Sequence, residues 1–482
     1  MTADGSIHSR KGIDLALWLA AAGILAILWS ALCTVPGLYW NPPRLAPSYA
    51  LAGGLNIYAT PDAGPYLGWV YGPMFALWGV PAAWVPQITW SFVVWALLNY
   101  LAMLVPVWLV LRDAAGSGRL AGQGLLLYLV LFLANAVTQS LVFLIHVDGL
   151  CFGFGTLACW GLHRAAFGRG LRYLHLAALA VILAIWTKQV AVSLVPGLFL
   201  WLWWMRRTRL MPPLLLWLLV YGGGVTAGFF RWFGGEALLF SLWQVHVLNP
   251  LKGGWSLLGG EILHMFASGG VWLAAAALLA LAPRCAAGAE PGGSGWFKLL
   301  GCVALCHLPL GLAAVIKAGG GINSVHSLYY VLLLLALALM RLLEPGRRPG
   351  PGTAWISPAV VIVGVVALGL GHAFYLVVDR GAVWRPYRGQ EAMLHMARMA
   401  AGHMYFPWNP LLTLITDKKI YPFDDALYCL WLSGLEVPVA RVRDSLPPGV
   451  VVFYEEPAQS HFALNYFPGY KTGNRVTSGR QP

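Results

Sequence analysis

The sequence predicts an all-α polytopic membrane protein of about eleven transmembrane helices, followed by a small C-terminal α/β region outside the membrane. Two observations predict this class. The chain has 482 residues, of which 59% are hydrophobic and only 10% are charged, a balance that excludes a soluble domain of ordinary composition. Apolar segments long enough to cross a bilayer recur between residue 15 and about residue 377.

Eleven apolar segments are predicted to span the membrane. Several of them are only about 15 residues long, so they need tilt, a broken helix or burial among neighbouring helices. In chain order they are 15–36, 87–111, 122–143, 148–162, 173–187, 190–205, 211–231, 270–283, 299–316, 328–342 and 354–377.

The loops between these segments differ in basic content. Fifteen Lys and Arg residues fall on one side, at positions 10, 11, 112, 119, 164, 169, 172, 206, 207, 209, 284, 298, 341, 347 and 348. Five fall on the other side before residue 378, at positions 44, 188, 231, 252 and 317. Basic loops stay cytoplasmic, so the N-terminus is predicted inside and the C-terminus outside. The net charge of +13 therefore reflects orientation in the membrane and not a nucleic-acid partner.

Two loops on the predicted outer side of the transmembrane module 1–377 are long. The first, 38–86, contains a short apolar piece, Met74–Val85, that is expected to enter the membrane and return. The second, 232–269, contains residues 236–249, whose pattern is typical of a helix lying in the membrane interface.

The C-terminal region, 378–482, differs in composition from the rest. It holds nine of the 18 acidic residues and two strand-like pieces, Val437–Val442 and Val450–Tyr454, on either side of a Leu-Pro-Pro-Gly turn. We predict an extracytoplasmic α/β domain that ends in a loose tail, Thr472–Pro482.

Four groups of polar side chains interrupt the apolar runs on the predicted outer side. Charge inside or against lipid is costly and is retained mainly where it has a function. The groups are Asp62, His146 with Asp148, Lys188 with Gln189, and Lys317 with Asn323 and His326. The sequence therefore predicts one shared site at this face.

Four motifs carry a resemblance to a known family. They are YALAGGLNIYATPDAGPYLGWVYGP at 49–73, HVDG at 146–149, TKQ at 187–189 and KAGGGINSVHS at 317–327. In order and spacing the chain resembles bacterial membrane glycosyltransferases of the GT-C superfamily, mannosyltransferase-like enzymes that use polyprenyl-phosphate sugars. The resemblance implies a GT-C-like fold and transfer of a sugar from a lipid-linked donor to a glycan, lipid or protein acceptor at the outer face of a bacterial inner membrane. Where the superfamily usually carries an acidic residue, this chain has Leu45-Ala46-Pro47-Ser48, without a carboxylate.

Such a transfer needs a base to take the proton of the acceptor hydroxyl. Asp148, at a predicted helix start, is the first candidate, and the resemblance points to the same loop. Its alternative role is an N-cap, and the two roles can coexist. Asp62, the one acid of the first outer loop, is the second candidate; its alternative role is a turn residue in Pro-Asp-Ala-Gly.

Positive charge must also stabilise the departing phosphate. Lys188, Lys317, Arg231 and Lys252 are candidates because each lies at an outer span end against the positive-inside bias. The alternative is snorkelling toward lipid headgroups. Lys188 and Lys317 are favoured, since the amides of Gln189 and Asn323 follow them closely and add directed hydrogen bonds.

The remaining candidates would bind substrate. His146 lies two residues before Asp148, and His326 lies near the end of the stretch 317–327; the alternative roles are a solvated interface histidine for His146 and a span-end histidine for His326. Tyr58, Tyr71 and Trp243 present rings on which a sugar can stack; with 24 Trp in the chain, most Trp residues are interface anchors. A divalent metal ion stays open as another source of positive charge, but one His and one Asp are too few ligands to predict a site.

Two other functions remain open. A transporter also has broken spans and polar motifs, but it is expected to carry ionisable groups near the midplane and two related halves, and the sequence has neither. A non-catalytic assembly protein that keeps the fold would explain the missing first-loop acid.

Overall fold

The computed structural model describes residues 3–60, 62, 67–168, 170–252, 259–260, 291–343, 358–435 and 437–453. The predicted span 270–283 and the predicted tail Thr472–Pro482 lie outside these residues. The described helices up to the second long loop are α1 (Ala3–Thr34), α2 (Asn41–Ala52), α3 (Pro73–Trp78), α4 (Val80–Ala83), α5 (Ile88–Ala115), α6 (Gly118–Leu133), α7 (Ala136–Phe143), α8 (Val147–Ala166), α9 (Arg172–Ile185), α10 (Leu194–Trp204), α11 (Met211–Phe233), α12 (Gly235–Leu239) and α13 (Val245–Leu248).

The described helices of the C-terminal half are α14 (Pro291–Val315), α15 (Ser327–Leu342), α16 (Pro358–Asp379), α17 (Gly389–Met399), α18 (Pro410–Thr416), α19 (Asp424–Leu432) and α20 (Val439–Asp444). Two strands, β1 (Met404–Tyr405) and β2 (Val451–Val452), pair in parallel. Short 3-10 turns at Gln189–Ser193 and Ile322–Ser324 precede α10 and α15.

Long apolar helices dominate the fold. Among the described residues, five helices are long and apolar enough to cross a membrane: Gly12–Gly37, Ile88–Ala115, Thr208–Phe233, Gly295–Val315 and Ala359–Asp379. Large apolar side chains on these helices are exposed, among them Trp18 on α1 and Leu219 on α11. Water would disfavour so much exposed apolar surface, whereas lipid does not, so these helices indicate a membrane protein.

The other predicted spans within the described residues coincide with helices that are shorter or less apolar, so the count of eleven stays a prediction. The span predicted at 122–143 is broken, because α6 and α7 meet at a bend of 100°. Asn135 causes the break: its side-chain oxygen accepts hydrogen bonds from the backbone N–H groups of Val137 (2.9 Å) and Thr138 (3.4 Å) and so caps α7. The bend leads the chain into the turn that carries His146.

The transmembrane helices pack around one continuous apolar core. Neighbouring pairs include α8 with α9, α5 with α8, α1 with α16, and α14 with both α10 and α15. Glycines allow the closest approaches: a Cβ on Gly153 of α8 would lie 2.1 Å from the carbonyl oxygen of Ala102 on α5. The start of α8 is thereby fixed against α5.

The C-terminal region packs directly on the outer ends of the helices. The backbone N–H of Tyr387 donates to the carbonyl oxygen of Cys33 at the end of α1 (3.0 Å), and α18 packs on α2. A second apolar cluster joins α19 to Phe240 and Val245 of the second long loop. Both outer loops and the C-terminal region therefore form one assembly.

Two predictions about local structure have clear outcomes. The helix predicted at 236–249 is confirmed, since α12, a π-helical turn at Phe240–Gln244 and α13 follow one another without a break. The strand predicted at Val437–Val442 is wrong: α20 begins at Val439, directly after Pro438. Val439 and Val442 are three residues apart, the spacing of one helix face, and Val442 is buried.

Candidate functional site

Three turns between consecutive helices bring polar side chains together at one end of the bundle. The turn before α8 carries His146 and leads into Asp148, the turn between α9 and α10 carries Lys188, and the turn before α15 carries Asn323 and His326. The sequence predicted these groups at one face, and the structure brings these five into direct contact.

Asp148 lies at the centre of this buried network, with none of its side chain exposed. Its Oδ1 accepts hydrogen bonds from Lys188 Nζ (2.7 Å) and from His326 Nε2 (2.5 Å), and its Oδ2 accepts one from Asn323 Nδ2 (2.8 Å). The ring Nδ1 of His146 also contacts Oδ2. A carboxylate buried so deeply is stable as an ion only because these donors replace water.

The partners of Asp148 are themselves held by further contacts. Lys188 Nζ donates to Ser324 Oγ (3.1 Å) and lies 5.9 Å from the centre of the Tyr71 ring. His326 Nδ1 lies 3.8 Å from the Sγ of Cys151. Ser324 and Cys151 were not singled out from the sequence, because neither an isolated Ser nor an isolated Cys carries a motif.

The turn before α8 is anchored by the first outer loop. Asn41, the first residue of α2, accepts a hydrogen bond from the backbone N–H of Ile145 (2.8 Å) and donates to the carbonyl oxygens of Val35 (2.7 Å) and Phe143 (3.2 Å). His146 is the N-cap of α8, with its ring nitrogen 3.4 Å from the backbone nitrogen of Asp148. Asp148 thus belongs to the first helical turn, as expected for either of its two possible roles.

The other predicted amide and lysines bind backbone carbonyl oxygens. Gln189 Nε2 donates to Val70 O (3.1 Å) and Leu242 O (3.3 Å). Lys317 Nζ donates to His246 O (2.6 Å) and Val247 O (3.2 Å), while Lys252 Nζ donates to Gly320 O. These contacts connect the outer loops to one another.

The ring candidates divide into buried and exposed residues. Tyr58 is buried and its hydroxyl donates to the carbonyl oxygen of Tyr71 (2.7 Å). Trp243 is 67% exposed on the helical segment of the second loop. Arg231 is exposed in the last turn of α11.

Asp62 is not brought to the Asp148 network by any contact among the described residues. Its side chain is 94% exposed, and its carboxylate lies 3.7 Å from Arg441 of α20. An acceptor-activating role for Asp62 stays a prediction.

A metal ion does not fit the Asp148 network. Among the described residues, no group of three or more His, Cys, Asp and Glu side chains is arranged to hold one. At Asp148, the Lys188 ammonium already occupies the position at Oδ1 that a cation would take.

One further region near this network was missed from the sequence. Arg44 of α2 is close enough for its charge to act on both His146 and Asp425. Burial raises the pKa of Asp425 to about 6, and Arg44 partly opposes this rise. The signal available in the sequence was Arg44 itself, since it is the one basic residue in the first outer loop, 38–86.

The fold and the network together define a class. The chain is a polytopic membrane protein, and its likeness to known proteins is one of fold alone. No family model matches the sequence, and no curated protein matches it either.

Two solved structures carry this likeness. One is ArnT from Cupriavidus metallidurans bound to undecaprenyl phosphate, with a TM-score of 0.55 and 13% sequence identity over 89% of this chain and 92% of the ArnT chain. The other is ArnT from the same organism in the apo state, with a TM-score of 0.55 and 12% identity over 86% and 90% of the two chains. At such identities the likeness is one of fold.

Proposed function

We propose that this protein is a membrane glycosyltransferase that moves a sugar from a polyprenyl-phosphate donor to an acceptor at the extracytoplasmic face of a bacterial inner membrane. The observation that carries the proposal is the likeness in fold to ArnT over 89% of the chain, because a neighbour with that fold binds undecaprenyl phosphate. The N-terminus is proposed to be cytoplasmic and the C-terminus extracytoplasmic, as the loop charges indicate.

The Asp148 network supports a site at this face. Three turns that are far apart in sequence meet there around a buried carboxylate and ammonium, and such an arrangement is costly to maintain away from a functional site. Asp148 remains the first candidate for the carboxylate that acts as the catalytic base. Both of its oxygens are engaged, so removing a proton from an acceptor requires one of the present donors to move when substrate binds.

The proposed reaction is a single displacement at the anomeric carbon. The acceptor oxygen forms a bond to that carbon while the bond to the phosphate oxygen breaks. The acceptor proton passes to the base, and polyprenyl phosphate leaves with the electron pair. The residues of this chain orient the donor and balance the charge of the leaving phosphate.

The experiment is a transfer assay on the full chain in lipid nanodiscs. Polyprenyl-phosphate sugars labelled in the sugar are supplied with a crude envelope extract as acceptor, and release of polyprenyl phosphate is measured for wild type, Asp148→Asn and Asp62→Asn. Turnover that Asp148→Asn abolishes supports the assignment. Turnover that neither substitution lowers removes both acids from the mechanism.

Failure of wild-type turnover has two readings that further measurements separate. Movement of a solute across liposomes by the wild-type protein would identify a transporter. Absence of both turnover and transport, with polyprenyl phosphate still bound, would identify a non-catalytic protein that retains the fold.

A further inference from the structure

Two buried nitrogen donors lie in one aromatic cluster beside the Asp148 network. One is Nη1 of Arg44, and the other is Nε1 of Trp408; within the described residues, neither has a hydrogen-bond partner. A buried N–H without an acceptor costs about 1–3 kcal/mol, so two of them in one place require an explanation.

The ring of Trp40 joins the two donors. The Arg44 guanidinium carbon lies 5.6 Å from the centre of the Trp40 ring, and the Trp40 and Trp408 ring centres are 5.0 Å apart, edge to face. Tyr39 and Phe423 complete the cluster at 6.1 Å and 5.4 Å from Trp408. The aromatic rings keep water from the guanidinium on one side and fix its plane.

The charge balance around these donors favours an anion. Arg44 forms no ion pair within 4.0 Å among the described residues, and Asp425, the acid on which its charge acts, does not neutralise it by direct contact. A guanidinium and an indole N–H are donors only, so the missing partner must supply acceptor oxygens. A phosphate group supplies several acceptor oxygens together with negative charge, and Arg binds phosphate well.

The position of the cluster is set by the C-terminal region. Trp408 follows β1, and Phe423 directly precedes α19. Gly68 of the first outer loop, with φ of +65°, lets α19 approach so closely that a Cβ there would lie 2.0 Å from the Cβ of Ala426. The C-terminal region thus contributes one of the two donors, a role that the sequence did not suggest.

We propose that Arg44 and Trp408 form a binding site for a phosphate group, and that the phosphate of the lipid-linked donor occupies it during the reaction. This inference rests on the proposed function for the identity of its ligand. Lys188 and Lys317, the lysines favoured as phosphate ligands from the sequence, and Lys252, a further candidate, already have protein acceptors. Arg44 is the outer-side cation whose buried nitrogen still lacks one among the described residues.

The test measures binding to the purified full chain in nanodiscs, with two probes: polyprenyl phosphate, and inorganic phosphate as the free anion. The variants are Arg44→Ala, Arg44→Lys, which keeps the charge without the planar fork, and Trp408→Phe, which keeps a ring and removes the N–H. The matched control is Arg398→Ala, an exposed cation in the last turn of α17. Elution as a single species and an unchanged melting temperature show which variants remain folded.

We expect Arg44→Ala to weaken polyprenyl phosphate binding at least tenfold, and Trp408→Phe and Arg44→Lys to weaken it about three- to tenfold, with Arg398→Ala unchanged. If Arg44→Ala unfolds the protein, polyprenyl phosphate binding by Trp408→Phe and Arg44→Lys tests the site instead. Equal binding of polyprenyl phosphate by wild type and by the folded Arg44 and Trp408 variants overturns this site and leaves the proposed function intact. Arg44-dependent binding of inorganic phosphate without any binding of polyprenyl phosphate supports an anion site and contradicts the proposed function. Absence of binding of either probe to wild type overturns both.

Discussion

The Asp148 network and the Arg44–Trp408 cluster lie close together and differ in one respect. In the first, every charged group has a partner of opposite charge or a hydrogen-bond partner within the protein. In the second, two buried donors have none among the described residues. Fully partnered buried groups hold structure in place, whereas unpartnered ones in the same fold point to a ligand. The comparison separates a network whose charges are balanced within the protein from a cluster whose donors lack an acceptor among the described residues.

The largest expected effect concerns the Asp148 network. Asp148→Ala leaves the Lys188 ammonium buried without its counter-charge, so we expect the free energy of unfolding to fall by about 3–5 kcal/mol. Denaturation of the detergent-solubilised protein measures this loss. The double variant Asp148→Ala with Lys188→Met should recover part of the loss. If the double variant is as unstable as the sum of the two single variants, the pair is not coupled.

The second effect concerns the position of α19 beside the Arg44–Trp408 cluster. Gly68→Ala adds a Cβ where Ala426 leaves 2.0 Å, at a backbone φ of +65° that favours glycine. We expect α19 to shift, with a loss of about 1–3 kcal/mol in stability and weaker polyprenyl phosphate binding. Gly371→Ala, in open space on α16, is the control. A Gly68→Ala protein that keeps wild-type stability and binding would show that α19 has no role in positioning the cluster.

The third effect depends on pH. Burial raises the pKa of Asp425 to about 6, so this carboxyl is neutral below that pH and ionised above it. An ionised Asp425 competes for the charge of Arg44, so we expect wild type to bind polyprenyl phosphate sugar, a diester of constant charge, about two- to tenfold less tightly at pH 7.5 than at pH 5.

Asp425→Asn should remove this pH dependence of binding. Asp425 should also make the folded protein more stable at low pH than at high pH. Burial favours the neutral carboxyl, so the pKa of Asp425 is higher in the folded protein than in the unfolded chain. This contribution to stability is complete below the pKa of the unfolded chain and is lost as the pH rises through about 6. Identical binding profiles of wild type and Asp425→Asn between pH 5 and 7.5 would contradict the interaction.

The smallest effect belongs to Asp62. Its carboxylate is 94% exposed and its contact with Arg441 is 3.7 Å long, so Asp62→Asn should change the unfolding free energy by less than about 0.5 kcal/mol. Sugar-transfer turnover of the Asp62→Asn protein tests the role of Asp62 more directly than its stability does. A large loss of turnover with unchanged stability would move the catalytic acid from the buried network to the first outer loop.

The sequence predicted more of the Asp148 network than of the Arg44–Trp408 cluster. The sequence placed His146, Asp148, Lys188, Asn323 and His326 at one face because loop charge and apolar length fix which turns share a side of the membrane. It did not give the hydrogen bonds that connect them, since these depend on the packing of α5, α8, α9 and α15.

The Arg44–Trp408 cluster was not predictable in the same way. Its two donors are separated by more than 360 positions, and no periodic pattern relates an outer loop to a C-terminal region. The break at Asn135 was missed for a related reason: apolar residues continue through it, and only the side-chain cap reveals that the helix ends there. The strand predicted at Val437–Val442 was wrong because this short Val-rich run, Val-Pro-Val-Ala-Arg-Val, also satisfies helical spacing.

The short antiparallel contact between residues 250–252 and 316–318 has a mechanical consequence. Backbone bonds join Lys252 N to Ile316 O (2.7 Å) and Ala318 N to Pro250 O (2.9 Å), and only a few residues farther along the chain Ser324 accepts its bond from Lys188. The second long loop and the ammonium that neutralises Asp148 are therefore both hydrogen-bonded to one short stretch of chain, 316–324, so a displacement of that stretch would act on both.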